Sequence, residues 1–243
     1  VELPTPMKLA CASGSLHRAM ASGELTQLEF LDLCARDLAC DGVVVDERHF
    51  PRVDDDYLAQ VKKMATDRGL TIAALADAAF FTSTRERMAA VLGHALALGV
   101  PLVAAPLSRE LDESWNDQLA ELGVATSLAK ALNVTLAVRN LPQTFAASAH
   151  DCKRVAKEAD SAWLRFGPEP QLFDAASDPR ALQPNTVLLW SDASRQTERS
   201  IADTIAAFPR FRGHLVLDDA SGAASIAALA AAMDQWREIL NRR

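Results

Sequence analysis

Two kinds of hydrophobic pattern take turns along the whole chain. Short apolar runs without polar alternation stand at Lys8–Ala12, Gly42–Asp46, Leu70–Leu75, Val100–Ala105, Val134–Asn140, Ser161–Phe166, Thr186–Trp190 and His214–Asp218. Such runs read as strands covered on both faces, the habit of a parallel sheet clothed in helices. Between them, apolar residues recur every three or four positions, as on one face of a helix. Thr26-Gln-Leu-Glu29 has the form of a capping box and opens a helix whose Leu28, Leu31, Cys34, Ala35 and Leu38 make one stripe. Further helices are expected over Asp54–Arg68, from Ser83 or Thr84 to Leu98, over Asp112–Leu132 with an irregularity at Gly123, and over Ser148–Ala159. Two more are expected from Ser194 or Thr197 to Phe208 and from Ser221 to Asn241, and Pro179–Leu182 offers only a rudimentary one.

Strict alternation of strand and helix implies a parallel sheet. Eight units imply closure into an α/β (β/α)8 barrel rather than an open doubly wound sheet. The open alternative lacks its usual mark, because Ser13-Gly-Ser15 is not a GxGxxG turn and no Walker A sequence occurs. No linker or shift in composition interrupts the pattern, so residues 1–243 are read as one barrel domain, with 1–6 as a short N-terminal arm.

Composition narrows the function. Of the 243 residues, 49% are hydrophobic and 23% charged, which is enough for a large core. A net charge of −7 with no basic cluster argues against a nucleic-acid partner. The Ala-rich C-terminal stretch carries Asp234 and Arg237, so no membrane span is expected. Cys11, Cys34, Cys40 and Cys152 show neither CxxC nor zinc-ligand spacing. Together with an N-terminus that is neither basic nor followed by a long apolar stretch, they read as reduced thiols of a cytoplasmic protein.

Barrels of this kind keep their chemistry at the C-terminal ends of the strands. That rule selects His17, Asp46, Glu47, Arg48, His49, Asp77, Arg139, Asn140, Arg165, Ser191, Asp192, Asp218 and Asp219. Asp41, Asp160 and Asn185 precede strands and read as turn residues.

Asp41-Gly-Val-Val-Val-Asp-Glu-Arg-His-Phe-Pro51, the helix end Asp67-Arg-Gly-Leu70 and the helix entry Gly23-x-Leu25-Thr26 resemble the sugar phosphate isomerase/epimerase family of xylose-isomerase-like TIM barrels. Ala95-Leu-Ala-Leu-Gly-Val100 and Leu136-Ala-Val-Arg-Asn140 continue the resemblance, which spans nearly the whole chain. It implies a pocket for a small carbohydrate-like ligand. It also implies one divalent cation, held by Glu, Asp, His and Glu at strands five to eight and stabilising an enediolate. Here those positions read Arg139, the neighbourhood of Gly167, Leu189, and Asp218 or Asp219. A guanidinium cannot deprotonate to bind a metal and repels a dication. The expectation is therefore no cofactor, with Mn or Mg at most held by altered ligands.

Arg139 then has three readings: an ion pair with Asp218 or Asp219, a clamp for a phosphate or carboxylate ligand, or a side chain turned elsewhere. Asp218, Asp46 and Arg139 are the catalytic candidates. His17, His49, Asn140, Arg165, Asp192 and Asp219 are the ligand-binding ones. Several have plainer readings: a loop hydrogen bond for His49, a surface place for His17, a helix cap for Asp192, a buried counter-charge for Arg165. Trp163 and Trp190 read as packing rather than as sugar platforms. Two functions follow: a sugar or sugar phosphate isomerase or epimerase, or an inactive barrel that binds a sugar-like ligand or a protein partner. The short sixth helix suggests a groove for dimer contact. Nuclease chemistry, which needs clustered His and carboxylates, is disfavoured by five scattered histidines.

Overall fold

The computed structural model describes residues 7–174 and 177–242; the N-terminal arm expected over 1–6 lies outside them. Eight parallel strands alternate with helices. They are β1 Lys8–Ala12, β2 Gly42–Asp46, β3 Thr71–Ala76, β4 Leu102–Pro106, β5 Thr135–Arg139, β6 Leu164–Gly167, β7 Leu188–Asp192 and β8 His214–Asp218. The helices are α1 His17–Ala21, α2 Gln27–Arg36, α3 Asp55–Asp67, α4 Arg85–Leu98, α5 Trp115–Leu132, α6 Ala149–Ala159, α7 Glu198–Ala207 and α8 Ile226–Asn241. The strand order β6-β5-β4-β3-β2-β1-β8-β7 makes a barrel, with β1 bonded to both β2 and β8. Among the described residues, the β6–β7 seam alone lacks a ladder. It is drawn together by Val187 N–H donating to Phe166 O (2.9 Å) and Trp190 N–H donating to Pro168 O (2.9 Å).

Strands β3, β4 and β5 begin one or two residues later than the apolar runs do, for a common reason. Leu70, Val100 and Val134 donate their backbone N–H to Ala65, Ala95 and Ala129, five residues back. This closes the preceding helix through a left-handed residue in the manner of a Schellman motif, whose residue after the turn is apolar and buried. Those hydrophobic positions therefore belong to helix ends. Strand six also starts late, because residues 161–163 form a turn held by Leu164 N–H on Ser161 O (3.3 Å). Helix α5 runs unbroken through Gly123 and is capped by Ser114, which accepts from Asp117 N–H, so neither the expected irregularity nor the start at Asp112 occurs. The capping box at Thr26 forms in full with Glu29. Between β6 and β7 the chain makes 3-10 turns at Pro170–Leu172 and Pro179–Asn185, where Pro184 forbids an α-helix.

The core has two layers. Between strands and helices sit Val43, Val45, Leu75, Val103, Leu136, Val138, Phe166, Leu189, Leu215 and Leu217, packed against the helices' apolar faces. Inside the barrel sit Ala10, Ala12, Val44, Ala74, Ala104, Ala137, Leu188, Trp190 and Val216. So many alanines would leave the interior underfilled. Trp190 supplies the bulk, and the space left over opens at the C-terminal mouth.

Candidate functional site

A cavity of about 290 Å³ opens at that mouth. Its wall is apolar, from Ala12, Val44, Ala76, Ala104 and Pro106 at the strand ends; its polar groups are His17, Asp46, Arg48, Arg139, Asp218 and Asp219. The mixture of an apolar wall with a few converging polar groups is that of a small-ligand site.

Arg139 forms the floor. Alternation along β5 turns Ala137 inward and, two residues on, Arg139 as well. Its guanidinium lies over the Trp190 ring, 3.7 Å from the centroid. Its Nη1 donates to Asp218 Oδ2 (3.1 Å), and its Nη2 is 4.0 Å from Glu169 Oε2. Of the three readings, the ion pair is realised, and with Asp218 rather than Asp219. Because the fork makes a single hydrogen bond among the described residues, donors remain for the cavity that the residue lines. Trp190 packs the barrel interior, as expected, and its ring face also serves as the platform under Arg139. Its Nε1 is buried with no partner among the described residues, and it sits so close to β6 that a Cβ at Gly167 would fall 2.9 Å away. Trp163 is partly buried against the outer layer of the core.

Glu169 was not anticipated. It follows Pro168 just past the tip of β6, is 5% exposed, and has one carboxylate oxygen without a partner. Burial pushes its pKa up to about 7; Arg139 pulls it down, while Asp192 and Asp218 add to the rise. The signal in the sequence is an acid set between two prolines at a strand tip, within the stretch 167–170, which otherwise reads as a break between elements. Asn140 holds this acid in place. Its Oδ1 accepts from Glu169 N–H (2.6 Å) and its Nδ2 donates to Glu169 O (3.1 Å), so Asn140 is a buried clamp behind the cavity rather than part of its lining.

Asp218 lies opposite. Its Oδ1 accepts from Asp219 N–H (3.0 Å) and from the Ser15 hydroxyl (3.4 Å). Asp219 lines the cavity but turns its Oδ1 back to accept from Ser221 N–H (2.8 Å), shaping the loop after β8. Gly222 in that loop has φ +65°, and a Cβ there would meet the His17 Cβ at 3.0 Å. The loop thus packs closely on His17 at the rim, where only a glycine leaves room.

Asp46 and Arg48 make the third wall. The Arg48 side chain donates through Nε to both carboxylate oxygens (3.0 and 3.1 Å) and through Nη2 to Oδ2 (2.6 Å). Next to them, His49 Nδ1 lies 2.9 Å from Ser13 Oγ, and His49 Nε2 lies 3.0 Å from His17 Nδ1. Ser13 Oγ in turn accepts from Asp46 N–H (2.9 Å). Burial holds the pKa of His49 below its ordinary value, with Arg48 and His17 adding to the effect and Asp46 opposing it. His17 stands on α1 rather than in an open loop.

Besides Asn140 and His49, two further candidates stand apart from the cavity lining. Arg165 points inward from the middle of β6, level with Ala137, and its Nη1 donates to the Leu164 carbonyl (2.9 Å). Asp192 accepts from Ser194 N–H (2.8 Å) and pairs with Arg195 (3.3 Å), so it shapes the turn after β7. Glu47 and Asp77 turn away as well, into a network with Arg87 and His94 under α4.

These residues do not suit the divalent cation that the resemblance implies. The inward residue of β7 is Trp190, since Leu189 faces the helices; β6 offers Gly167, and β5 offers a guanidinium. No group of three or more His, Cys, Asp or Glu placed to hold a metal occurs among the described residues.

No protein-family model and no curated protein matches the chain at the level of sequence. Solved structures do match in fold. The D-psicose 3-epimerase of Clostridium cellulolyticum H10, solved with D-tagatose, superposes with a TM-score of 0.77 at 15% identity, over 96% of this chain and 99% of that one. The probable 3-DHS dehydratase AsbF of Bacillus anthracis, involved in petrobactin synthesis, gives 0.73 at 13% identity, over 94% and 98%. A xylose isomerase-like TIM barrel/4-hydroxyphenylpyruvate dioxygenase fusion protein gives 0.71 at 17% identity, over 95% of this chain and 42% of that one. The fold is therefore that of the xylose-isomerase-like TIM barrels, as the resemblance implied.

Proposed function

We propose that the protein binds a small anionic carbohydrate, a sugar acid or sugar phosphate, and isomerises or epimerises it without a divalent metal. The observation that carries this reading is Arg139 at the cavity floor, stacked on Trp190 where the resemblance implies a metal-binding Glu. A fixed guanidinium in an apolar-walled site stabilises an enediolate oxygen as a cation would, without a metal's ligands. Arg48 at the rim supplies a second positive group for the ligand's phosphate or carboxylate. Asp218, facing the cavity, is the general base of this reading. Glu169, titrating near neutrality behind Arg139, takes up or releases a proton as the ligand's charge arrives. Epimerases among the fold neighbours support the reaction class. The four free thiols, three of them buried, support a reducing compartment such as the cytoplasm. No helix among the described residues is long and apolar enough to cross a membrane.

The test uses metal-stripped protein in D₂O with a chelator. Aldonates and sugar phosphates are expected to raise the melting temperature where neutral sugars do not, with Arg139→Met abolishing the gain. Proton NMR is expected to show deuterium entering the ligand at the carbon beside its carbonyl. Binding without exchange identifies the inactive barrel instead. A saturable shift with Mn²⁺ and none with the anions refutes the metal-free reading.

A further inference from the structure

A chain of hydrogen bonds runs from the β2 backbone to the cavity wall, and its direction can be read from one end. Asp46 N–H can only donate, so Ser13 Oγ accepts there (2.9 Å). Ser13 is wholly buried, and its hydroxyl proton needs an acceptor. Among the described residues, the partner within reach is His49 Nδ1 at 2.9 Å. His49 Nδ1 is then the bare nitrogen, and the proton of the neutral ring sits on Nε2. That N–H points at His17 Nδ1, 3.0 Å away, which must accept it. The proton of neutral His17 is therefore on its Nε2, the ring edge not committed to His49. A second proton on His17 would have to go to Nδ1, directly against the His49 N–H. The lowered pKa of half-buried His49 agrees, since partial burial disfavours a cation at that ring. The close approach of Gly222 to His17 and the edge-to-edge pairing of the two rings, inclined by 30° with 5.3 Å between centroids, fix the orientation.

We propose that His17 is a catalytic residue of this site, a neutral imidazole locked by Ser13 and His49 as an Nε2–H donor to the ligand oxygen on which negative charge develops. The assignment rests on the reading of the cavity as an enediolate site. A neutral imidazole donor suits that chemistry, because the acidity of its N–H lies nearer to that of an enediol than an imidazolium's does. His17 thereby serves one oxygen while Arg139 serves the other. Ser13 and His49 are positioning residues, since neither is among those lining the cavity.

Long-range ¹H–¹⁵N NMR of ring-labelled protein at pH 7 reads both tautomers directly, before any ligand is added. The expected result is His49 and His17 both protonated at Nε2 and bare at Nδ1. An imidazolium at His17, or a proton on its Nδ1, overturns the proposal whatever the protein binds. Glycolohydroxamate, an enediolate mimic, is then titrated in. The expected result is a shift of the His17 Nε2–H resonance together with that of Arg139 Nε–H, and a loss of affinity of roughly tenfold in His17→Phe. Ser13→Ala is expected to release the lock, giving mixed tautomers at both rings in a folded protein. If Arg139 responds and His17 does not, the donor role fails while the anion-site reading stands. If neither responds although the tautomers are as expected, the enediolate reading fails, and the catalytic role of His17 with it.

Discussion

Two arginines at the C-terminal mouth of the barrel are each set between two acids, and they do opposite things. Arg87, reaching in from α4, donates to Glu47 Oε1 and Oε2 (3.3 and 2.7 Å) and to Asp77 Oδ2 (3.2 Å). His94 completes Glu47, and Asp77 also accepts from Ala79 N–H (2.9 Å). Neither Glu47 nor Asp77 has an orphaned buried oxygen, and neither lines the cavity. Arg139 makes one hydrogen bond, stands 4.0 Å from its second acid, and is surrounded by orphaned atoms, Glu169 Oε1 and Trp190 Nε1. Residue types alone do not separate a strut from a site. The saturation of the hydrogen bonds does, because a network that has closed on itself has nothing left for a ligand.

The contrast can be broken at several points. Arg87→Met takes the cation away from two buried carboxylates, leaving them only His94 and the Ala79 N–H among the described residues, and is expected to destabilise the fold by about 3–5 kcal/mol, measured by urea denaturation. Arg139→Met is expected to destabilise less, since Glu169 already protonates near pH 7 and can become neutral. Equal losses in the two variants would erase the distinction.

The next effect concerns pH. Glu169 binds its proton more tightly in the folded protein than in the unfolded chain, so stability is greatest below the ordinary carboxyl range near 4.5. It declines as pH rises toward about 7. The loss is on the order of 3 kcal/mol and is expected to vanish in Glu169→Gln, read from denaturation midpoints across that window. An unchanged slope in that variant would mean that the burial of Glu169 carries no penalty. The smallest effect is expected from Trp190→Phe, which removes an orphaned N–H along with some packing. The two offset to within about 1 kcal/mol, whereas Arg139's hold on an anion weakens with its platform. Isothermal calorimetry with a sugar phosphate checks the second half of that statement.

Much of this was legible in the chain. Uninterrupted apolar runs and capped, striped helices determine the barrel, because both patterns arise from local geometry that the sequence carries openly. The starts of the strands were less so: Leu70, Val100 and Val134 are apolar whether they end a helix or begin a strand. Leu189 could be placed at the strand-seven ligand position only by counting, and the pleat shows that Trp190 faces inward instead. Asn140 and Asp192 share the right strand ends with the cavity residues, but their side chains hold loops instead, and Arg165 points inward from below the strand end. Glu169 escaped notice because a residue two positions beyond a short strand reads as loop, and only the fold shows that the loop folds back over Arg139.

The seam between β6 and β7 has a consequence for how the barrel comes apart. Where β4 and β5 share a ladder from Leu102–Thr135 to Pro106–Arg139, the seam has two backbone hydrogen bonds. Amide hydrogen exchange should start here, in the manner of a cooperative unit less stable than the whole, with Val187 and Trp190 losing protection before the ladders of β1 to β5. Trp190 and Glu169 lie on the two sides of that seam, so the floor of the cavity is also the staves' loosest joint. A ligand that clamps Arg139 onto its platform would tighten the hoop, and the exchange rates at these two amides would report its arrival.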